Sequence, residues 1–579
     1  MDNHIELLFN HFYEFADNCI NNNILSNINR KSISIDFSSH SRKGDISSNF
    51  YLIANKKTLD NKFNLKDELL KGIYKLPFID KCEISKNGFI NIKIKKEFLI
   101  NQIYFLLNQK NKYGKSNLGN GKKVNVEFVS ANPTGPVTIA HMRGAVLGDV
   151  ISSLLSSTGH KVTREYYVNN AGSQIDILGK SLLKRYLELF GETIELKNNE
   201  YPGAYLIDIA KLIKNKDGNK WLNNKSSQRE DYFKDFAVKY LIEYIEKDLK
   251  LLNINFDKFS FETDIVNSKI IDDLFKILDK EGLLYNGTLE KPKGEDIDDW
   301  EPREQLLFKS SQLLDDQDRS FKKSNGEWTY FANDSAYHLD KFNRRFDKLI
   351  NIWGADHIGY IPRMKSILKT ISKKEDYLKI ITCQIVRLIK DNEILKMSKR
   401  EGNFITLQEV YNQVGKDPLR YFMISTKSET SMDFDLNKVI EKNKDNPVFY
   451  CQYAYARASS VINKADILGI NIKFFNKYNE IIDFLSEDEI EIILKLLSYP
   501  YILKLSSISM EPHRLTNFVE DLSTAFHSFW NKGKENKSLR FIDEKNIIKT
   551  QSKLLWLQSM RIVFENIFNI IGIDYHETM

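Results

Sequence analysis

The stretch from residue 124 to 168 constrains the fold of this chain more than any other. "VNVEFV" (124–129) has the apolar, β-branched make-up of a buried strand and runs into the Pro/Gly-rich loop "SANPTGP". From His141 the apolar residues Met142, Val146, Leu147, Val150, Ile151, Leu154 and Leu155 recur at helical spacing. Gly159 is placed to end that helix, and "KVTREYYV" (161–168) reads as a second strand. Strand, helix, strand in so short a span is a βαβ unit and requires a parallel sheet. A glycine-containing loop that opens a helix also offers free backbone N–H groups and a positive dipole end to a phosphate. Alone that signal is weak, because many strand-to-helix turns look alike.

The rest of the chain is organised around this unit. Residues 1–115 open with a helical pattern and then alternate; "KCEISKNGFINIKIKKEFL" reads as strand, Asn-Gly turn, strand, so an α+β domain is expected. The polar stretch "NQKNKYGKSNLGNGKK" (108–123) marks the boundary to a core predicted over 120–435. Residues 175–265 are charged with helical periodicity and read as an insertion in that core. Sheet pattern returns at "GEWTYFANDSAYH" (326–338) and "KLINIWGADHIGYIPRMKSIL" (348–368), followed by two strand-like runs around a turn in "KIITCQIVRLIKDNEILKMSKREGNF". Thr406 and Glu409 form a capping box for the next helix, and Pro418 suits the first position of another. From 438 to 579 the pattern is helical, with Val448, Cys451, Tyr455 and Ala458 on one face. The expected fold is therefore α/β and multidomain: a Rossmann-type parallel-sheet core between an N-terminal α+β domain and an all-α C-terminal domain.

Bulk properties narrow the function only by exclusion. With 84 Lys and Arg against 78 Asp and Glu, the net charge of +6 over 579 residues permits a nucleic-acid patch without demanding one. No apolar run approaches the roughly 18 residues of a membrane span. The N-terminal "MDNHIELLFNHFYEFADN" lacks the basic-then-apolar order of a signal peptide. Cys19, Cys82, Cys383 and Cys451 stand far apart with no C-x-x-C spacing, which argues against a disulfide framework or a thiolate zinc site and fits a reducing cytoplasm.

Two segments carry the chemistry. The first is "TIAH", Thr138 to His141, at the loop-to-helix junction. The second is Lys396-Met397-Ser398-Lys399-Arg400, followed by Glu401-Gly402-Asn403. Two lysines three apart usually mark a solvated helix face. In a Gly-containing loop beside a nucleotide fold they can instead neutralise charge developing on a transferring phosphate.

The pairing resembles the HIGH-type and KMSKS motifs of class I aminoacyl-tRNA synthetases. "VEFVSANPTGP", "REYYVNNAGSQI", "GADHIGYIPR", "KMSKREGNFITL" and "NPVFYCQYAYARASS", in that order, resemble the bacterial arginyl-tRNA synthetase family. The resemblance is strong over 120–460 and looser at the ends. It implies arginine and ATP as substrates, Mg²⁺ accompanying ATP, tRNA(Arg) as partner, no zinc, and a cytoplasmic monomer away from membranes. It matches Glu127 and Asp334 to the family's guanidinium-binding acids and Tyr330 to the tyrosine beside them. Arginine's planar charged fork suits two carboxylates. Without the resemblance Glu127 reads as an exposed strand charge and Asp334 as a turn residue. Asn132 matches the residue that fixes the substrate's α-amino and carboxylate groups. Asp356 and His357 lie where another polar contact is made, with the choice between them open. His141, Lys396 and Lys399 match the catalytic positions, and Thr138, Ala140, Met397 and Ser398 complete the ATP-binding motifs. Thr138 replaces the first histidine of the motif, and its hydroxyl can still meet a phosphate oxygen. Ala140 replaces a glycine under the adenine, where a methyl intrudes at a cost of about 1–2 kcal/mol.

The family resemblance places tRNA contacts at both ends. "GFINI" nominates Phe89 and Asn91 for the D-loop, with core packing the rival for Phe89. "FHSFW" nominates Trp530 in the anticodon module, with Met579 in its tail, and "NKGKENKSLR" (531–540) supplies a basic stretch for phosphates. The alternatives are another class I synthetase, such as the cysteinyl enzyme with its thiolate zinc ligands, and a non-catalytic tRNA-binding paralogue.

Overall fold

The computed structural model describes residues 4–37, 44–60, 62–197, 199–223, 226–289, 303–395, 405–472 and 479–579. The chain forms two compact units, one of residues 117–440 and one of the two chain ends, 1–116 with 441–579.

The first unit is built on five parallel strands: β1 (Lys123–Glu127), β2 (Lys161–Val168), β3 (Lys258–Phe261), β4 (Lys348–Gly354) and β5 (Leu378–Cys383). Their order is β5-β4-β1-β2-β3. The chain leaves β1 toward β2 and β3, then returns to β4 on the other side. That reversal opens a crevice at the carboxyl ends of β1 and β4, the place where such sheets bind ligands. Helix α1 (Ile139–Ser157) makes the β1–β2 crossover, and every apolar residue of its predicted stripe is buried. It lies so close to the sheet that a side chain at Gly148 would overlap the Phe128 ring.

Between β2 and β3 stands the helical insertion, α2 (Ser173–Glu188), α3 (Tyr205–Asp217) and α4 (Ser227–Leu251), with its own core of Leu182, Tyr186, Ile209, Phe233 and Ala237. The segment expected to resume the sheet at 326–338 is instead helical from its Tyr330: Thr329 caps α5 (Tyr330–Asn343). Helix α6 (Ile361–Ser372) follows β4. A second, three-stranded sheet, β6 (Val386–Lys390), β7 (Glu393–Ile394) and β8 (Met432–Asp435), has β6 at its centre. Helix α7 (Leu407–Val414) carries the expected Thr406–Glu409 capping box. Helix α8 (Lys416–Ile424) begins two residues before Pro418, with Gly415 as its cap.

One row of the central sheet is polar where apolar residues are usual. Glu165 pairs in register with Glu127, and Glu127 with Asn351. All three are buried. In a parallel sheet register neighbours face the same side, and that side is covered by α5. Asp334, Tyr337, His338 and Lys341 share one helical face there, and Arg344 caps the end.

The second unit joins a four-stranded antiparallel sheet to a helical bundle. The sheet order is Ile35–Phe37, Ile46–Ser48, Ile90–Ile94, Ile79–Ile84, and the last two form the hairpin read from the sequence. The main helices after 441 are Pro447–Ile467, Glu487–Ser509, His513–Glu535 and Ile547–Ile571. The Asn566 amide donates to the carbonyls of Lys110 and Tyr113, tying the last helix to the N-terminal segment. By length and composition Glu487–Ser509 could cross a membrane, a departure from the sequence reading. Its apolar surface is largely occupied by packing within this unit: Ile492, Ile493, Leu496, Leu497 and Leu503 are buried.

Candidate active site

A cavity of about 560 Å³ opens at the carboxyl ends of β1, β4 and β5. Glu127, Asn132, Ala140, His141, Asp334, Asp356 and His357 all line it. An adjoining space of about 290 Å³ shares Asn132 and Asp334 and adds Gln174, Glu262 and Tyr330. Eight residues nominated from sequence thus meet at one place. Lys396, Met397, Ser398 and Lys399 lie outside the described residues. Phe89, Asn91, Trp530 and Met579 belong to the other unit.

The acids of the site are not equivalent. Lys341 Nζ sits 2.5 Å from Glu127 Oε2, with the lysine fully buried, and Ser130 Oγ donates to Glu127 Oε1 at 3.2 Å. The charge of Glu127 is therefore already matched. Glu165, deeper in the row, is matched even better. Arg344 grips both its oxygens, and Asn125, Ser260 and Tyr337 donate to it; burial pushes its carboxyl up, but the nearby Lys341 charge, Arg344 and the Ser260 hydroxyl outweigh that and hold it at about 2.

Asp334 and Glu262 differ. Burial pushes the Asp334 carboxyl up to about 7; the Tyr360 hydroxyl, 2.7 Å from Oδ2, pulls the other way, and Glu262 and Glu127 push it further up. Glu262 is also raised by burial; Asn333 donates to it at 3.2 Å, as does Asn169 when its amide is oriented by its neighbours. Among the described residues no cation pairs with either acid. Glu262 is buried and Asp334 half-buried on the cavity wall, so the two acids share a space open to a ligand, and acids in such a setting favour a cationic partner. Tyr330, 60 % exposed, stands at the mouth of that space.

His338 completes the polar network as a neutral ring. Burial pushes its pKa down to about 3, and its Nδ1 faces the Asp334 carbonyl at 2.7 Å. A carbonyl only accepts, so the proton is on Nδ1, and Nε2 accepts from the Asn351 amide at 2.9 Å.

The loop from β1 to α1 is strained and held from outside. Val129 and Ser130 have φ of 66° and 41°, a region L-residues avoid and β-branched ones especially. Such strain persists only where the surroundings over-determine it. Thr138 caps α1: its backbone N–H donates to His141 Nδ1 at 3.3 Å, and its hydroxyl lies 3.0 Å from the same nitrogen. Nδ1 is thus an acceptor, and the neutral ring carries its proton on Nε2, which can donate to a phosphate. The Thr138 hydroxyl, expected to reach a phosphate, lies against the histidine and helps to orient it. Ala140 is exposed on the cavity wall, where its methyl meets whatever fills the site.

Thr138 also bridges Thr406, and the Leu407 N–H donates to the Val137 carbonyl at 2.9 Å. The segment that follows 396–404 is therefore bonded directly to the loop that precedes His141. Arg143, on the next turn of α1 and 1 % exposed, donates to the carbonyls of Gln384, Lys427 and Thr430 and to the Thr426 hydroxyl.

Comparison with known proteins agrees with this arrangement along the whole chain. Residues 17–94 match the model for the arginyl-tRNA synthetase N-terminal domain, 102–450 that for the class I (R) tRNA synthetase catalytic domain, and 451–579 that for the DALR anticodon-binding domain. The chain is 40% identical over 555 residues to an arginine–tRNA ligase of Bartonella bacilliformis, covering 94% of each. The chain belongs to the arginyl-tRNA synthetases. A relative named arginine–tRNA ligase from Ruegeria pomeroyi is 39% identical, covering 93% of this chain and 92% of its own. The solved arginyl-tRNA synthetase of Thermus thermophilus shares the fold at a TM-score of 0.72 and 16% identity, covering 99% of this chain and 100% of its own.

In this synthetase the sequence reading overlooked Glu262, Lys341 and Arg143. Glu262 follows β3 in "FSFETD", where an acid looks like a helix-start residue. Lys341 and Arg143 look like solvated charges of amphipathic helices. The available signal for Lys341 was its spacing: Asp334, His338 and Lys341 recur at i, i+4, i+7 like a core stripe.

Proposed function

We propose that the protein is an arginine–tRNA ligase whose arginine site is the unmatched acid pair Asp334 and Glu262. It condenses arginine with ATP to arginyl-adenylate and pyrophosphate, then transfers the arginyl group to the 3′ ribose of tRNA(Arg), releasing AMP. The single observation that carries the substrate assignment is that pair of cavity-lining carboxylates, with which no cation among the described residues pairs. A guanidinium supplies a permanent positive charge and a fork of donors for two acids. Glu127, paired with Lys341, serves as the fixed wall of the pocket and not as the guanidinium's main partner. Asn132, with Asp356 or His357, holds the α-amino and carboxylate groups.

ATP lies along the 132–141 loop and the start of α1, where free N–H groups favour phosphate. His141 Nε2–H donates to the phosphates, and Lys396 and Lys399 neutralise the charge that builds on the α-phosphate during attack. Met397 and Ser398 complete that motif. Mg²⁺ accompanies the nucleotide as its counter-ion. Phe89, 38 % exposed on its hairpin, is free of the core and suited to stack on a base, with Asn91 beside it. Trp530 and the exposed Met579 are assigned to the anticodon side. The family resemblance further supports a cytoplasmic monomer and an activation step that needs tRNA.

The experiment is arginine-dependent exchange of pyrophosphate into ATP, with and without tRNA(Arg), beside direct charging of that tRNA. Charging with arginine, and exchange that appears only on adding tRNA, is the expected result. Exchange by the tRNA-free protein would remove the tRNA requirement. Intact tRNA binding without charging would favour the non-catalytic paralogue.

A further inference from the structure

The helical insertion between β2 and β3 has no assigned role in the scheme above, yet it reaches the nucleotide loop through two side chains: Gln174 on α2 accepts from the Asn132 amide at 3.0 Å, and Tyr205 bonds the loop further along. Tyr205, the first residue of α3, donates from Oη to the Thr134 carbonyl at 2.6 Å. We propose that Tyr205 is a positioning residue for adenylate formation: through it the insertion fixes the loop that carries Asn132 and delivers His141 to ATP. This rests on ATP binding along that loop, as argued above.

Three observations support it. First, the acceptor is one the loop is poorly equipped to satisfy. Thr134 is buried, its N–H is turned back to the Asn132 carbonyl at 2.7 Å, and Pro133 and Pro136 have no N–H to offer. Second, room has been made for the tyrosine on both sides. A side chain at Gly203 would collide with its ring, and one at Gly135, inside the loop, would come within 3.3 Å of its hydroxyl. Third, the turn bearing Tyr205 is anchored. The Tyr201 N–H donates to Ser181 Oγ at 3.1 Å, and Arg185 donates to the Pro202 carbonyl at 3.1 Å, both from α2.

The same insertion touches the far side of the site. Tyr244 on α4 donates to Gln408 Oε1 of α7 at 3.2 Å, just past the segment bonded to Val137 and Thr138. The strained loop entry at Val129 and Ser130 is held from β2, where the Tyr167 N–H donates to Ser130 Oγ and the Tyr166 hydroxyl to the Ala131 carbonyl, and Tyr205 holds the far part of the loop from a body with its own hydrophobic core.

The test is Tyr205→Phe, which removes one oxygen and keeps the ring, alone and combined with Gly135→Ala. Steady-state charging of tRNA(Arg) is followed at varied ATP and at varied arginine, with thermal melting alongside. Loss of one buried hydrogen bond should lower kcat/KM for ATP about threefold to tenfold. KM for arginine should move less than that for ATP, because of the arginine contacts only Asn132 lies on this loop, while the guanidinium anchors sit on α5 and after β3. The melting temperature should fall by no more than a few degrees. Gly135→Ala should cost less in the Tyr205→Phe background than in the native one, since the crowded hydroxyl is gone. An ATP effect below twofold, additive double-variant energies, or a lowered melting temperature with unchanged kinetics would each overturn the proposal. A native protein that binds tRNA but charges none would sink the functional reading itself, before any variant is compared.

Discussion

Arginine affinity should depend on pH through Asp334, and the size follows from its surroundings. Its carboxyl stands near 7 because it is buried, with Glu262 and Glu127 adding repulsion and Tyr360 and Lys341 easing it. The guanidinium stays charged at every pH of interest and binds the ionised form. Apparent affinity then scales with the ionised fraction, so KM for arginine should fall about tenfold from pH 6 to pH 8. KM for ATP has no such term and should stay nearly level.

The same shift has a stability signature with a definite sign. Between about pH 4 and 7 the folded protein holds a proton on Asp334 that the unfolded chain releases, so stability of the arginine-free protein falls as pH rises through that window. Moving the carboxyl from 3.8 to about 7 corresponds to roughly 4 kcal/mol at the upper end, which bound arginine should largely restore. The assay is steady-state charging at saturating ATP and tRNA from pH 6 to 8, with melting curves with and without arginine. Asp334→Asn keeps the shape and removes the charge. It should raise KM for arginine about a hundredfold or more and flatten its pH dependence. A level KM in the native protein, or a slope that survives Asp334→Asn, would refute the assignment.

Other perturbations test separate parts. Lys341→Met strands Glu127 in the core and should lower unfolding free energy by about 3–5 kcal/mol; a loss under about 1 kcal/mol in urea titration would show the pair to be relaxed. Ala140→Gly should lower KM for ATP a few-fold, whereas Thr138→His, which removes the cap that orients His141, should reduce kcat; a gain from the second change would contradict the hydrogen-bond geometry. Lys399→Ala should lower kcat far more than it alters KM for ATP, the pattern of a contact made only during reaction. Arg143→Lys keeps the charge but not the fork and should lower kcat without unfolding the protein, as judged by circular dichroism.

The sequence was most readable where a single physical signal dominates. The α1 stripe, the loop before it and the Asn-Gly hairpin each follow one periodicity or one turn chemistry, and each is where it was expected. The segment 326–338 was misread because α5 buries polar residues. Tyr337, His338 and Lys341 hide the apolar repeat that would have marked a helix, and the meaning of that face appears only with Glu127, Glu165 and Asn351 opposite it. The nominated residues that line the cavity came from resemblance, but the partners each of them meets were not legible. Nothing in "VEFV" or "YFAND" says that Glu127 has a lysine against it while Asp334 has none. That distinction depends on which strands become neighbours.

The unit made from the two chain ends has a consequence for synthesis. Residues 1–116 leave the ribosome first, but the helices that share their core begin at 441. Making residues 117–440 in between takes on the order of 15–60 s at roughly 5–20 residues per second. Through that interval the helix Lys96–Gln109, with Ile103 and Leu106 buried in the finished protein, must wait without its final cover. The Lys110 and Tyr113 carbonyls meet Asn566 only after more than 400 further residues have been made. For that interval the N-terminal segment lacks the partners that bury it, and truncation before the last helix should destabilise residues 1–116.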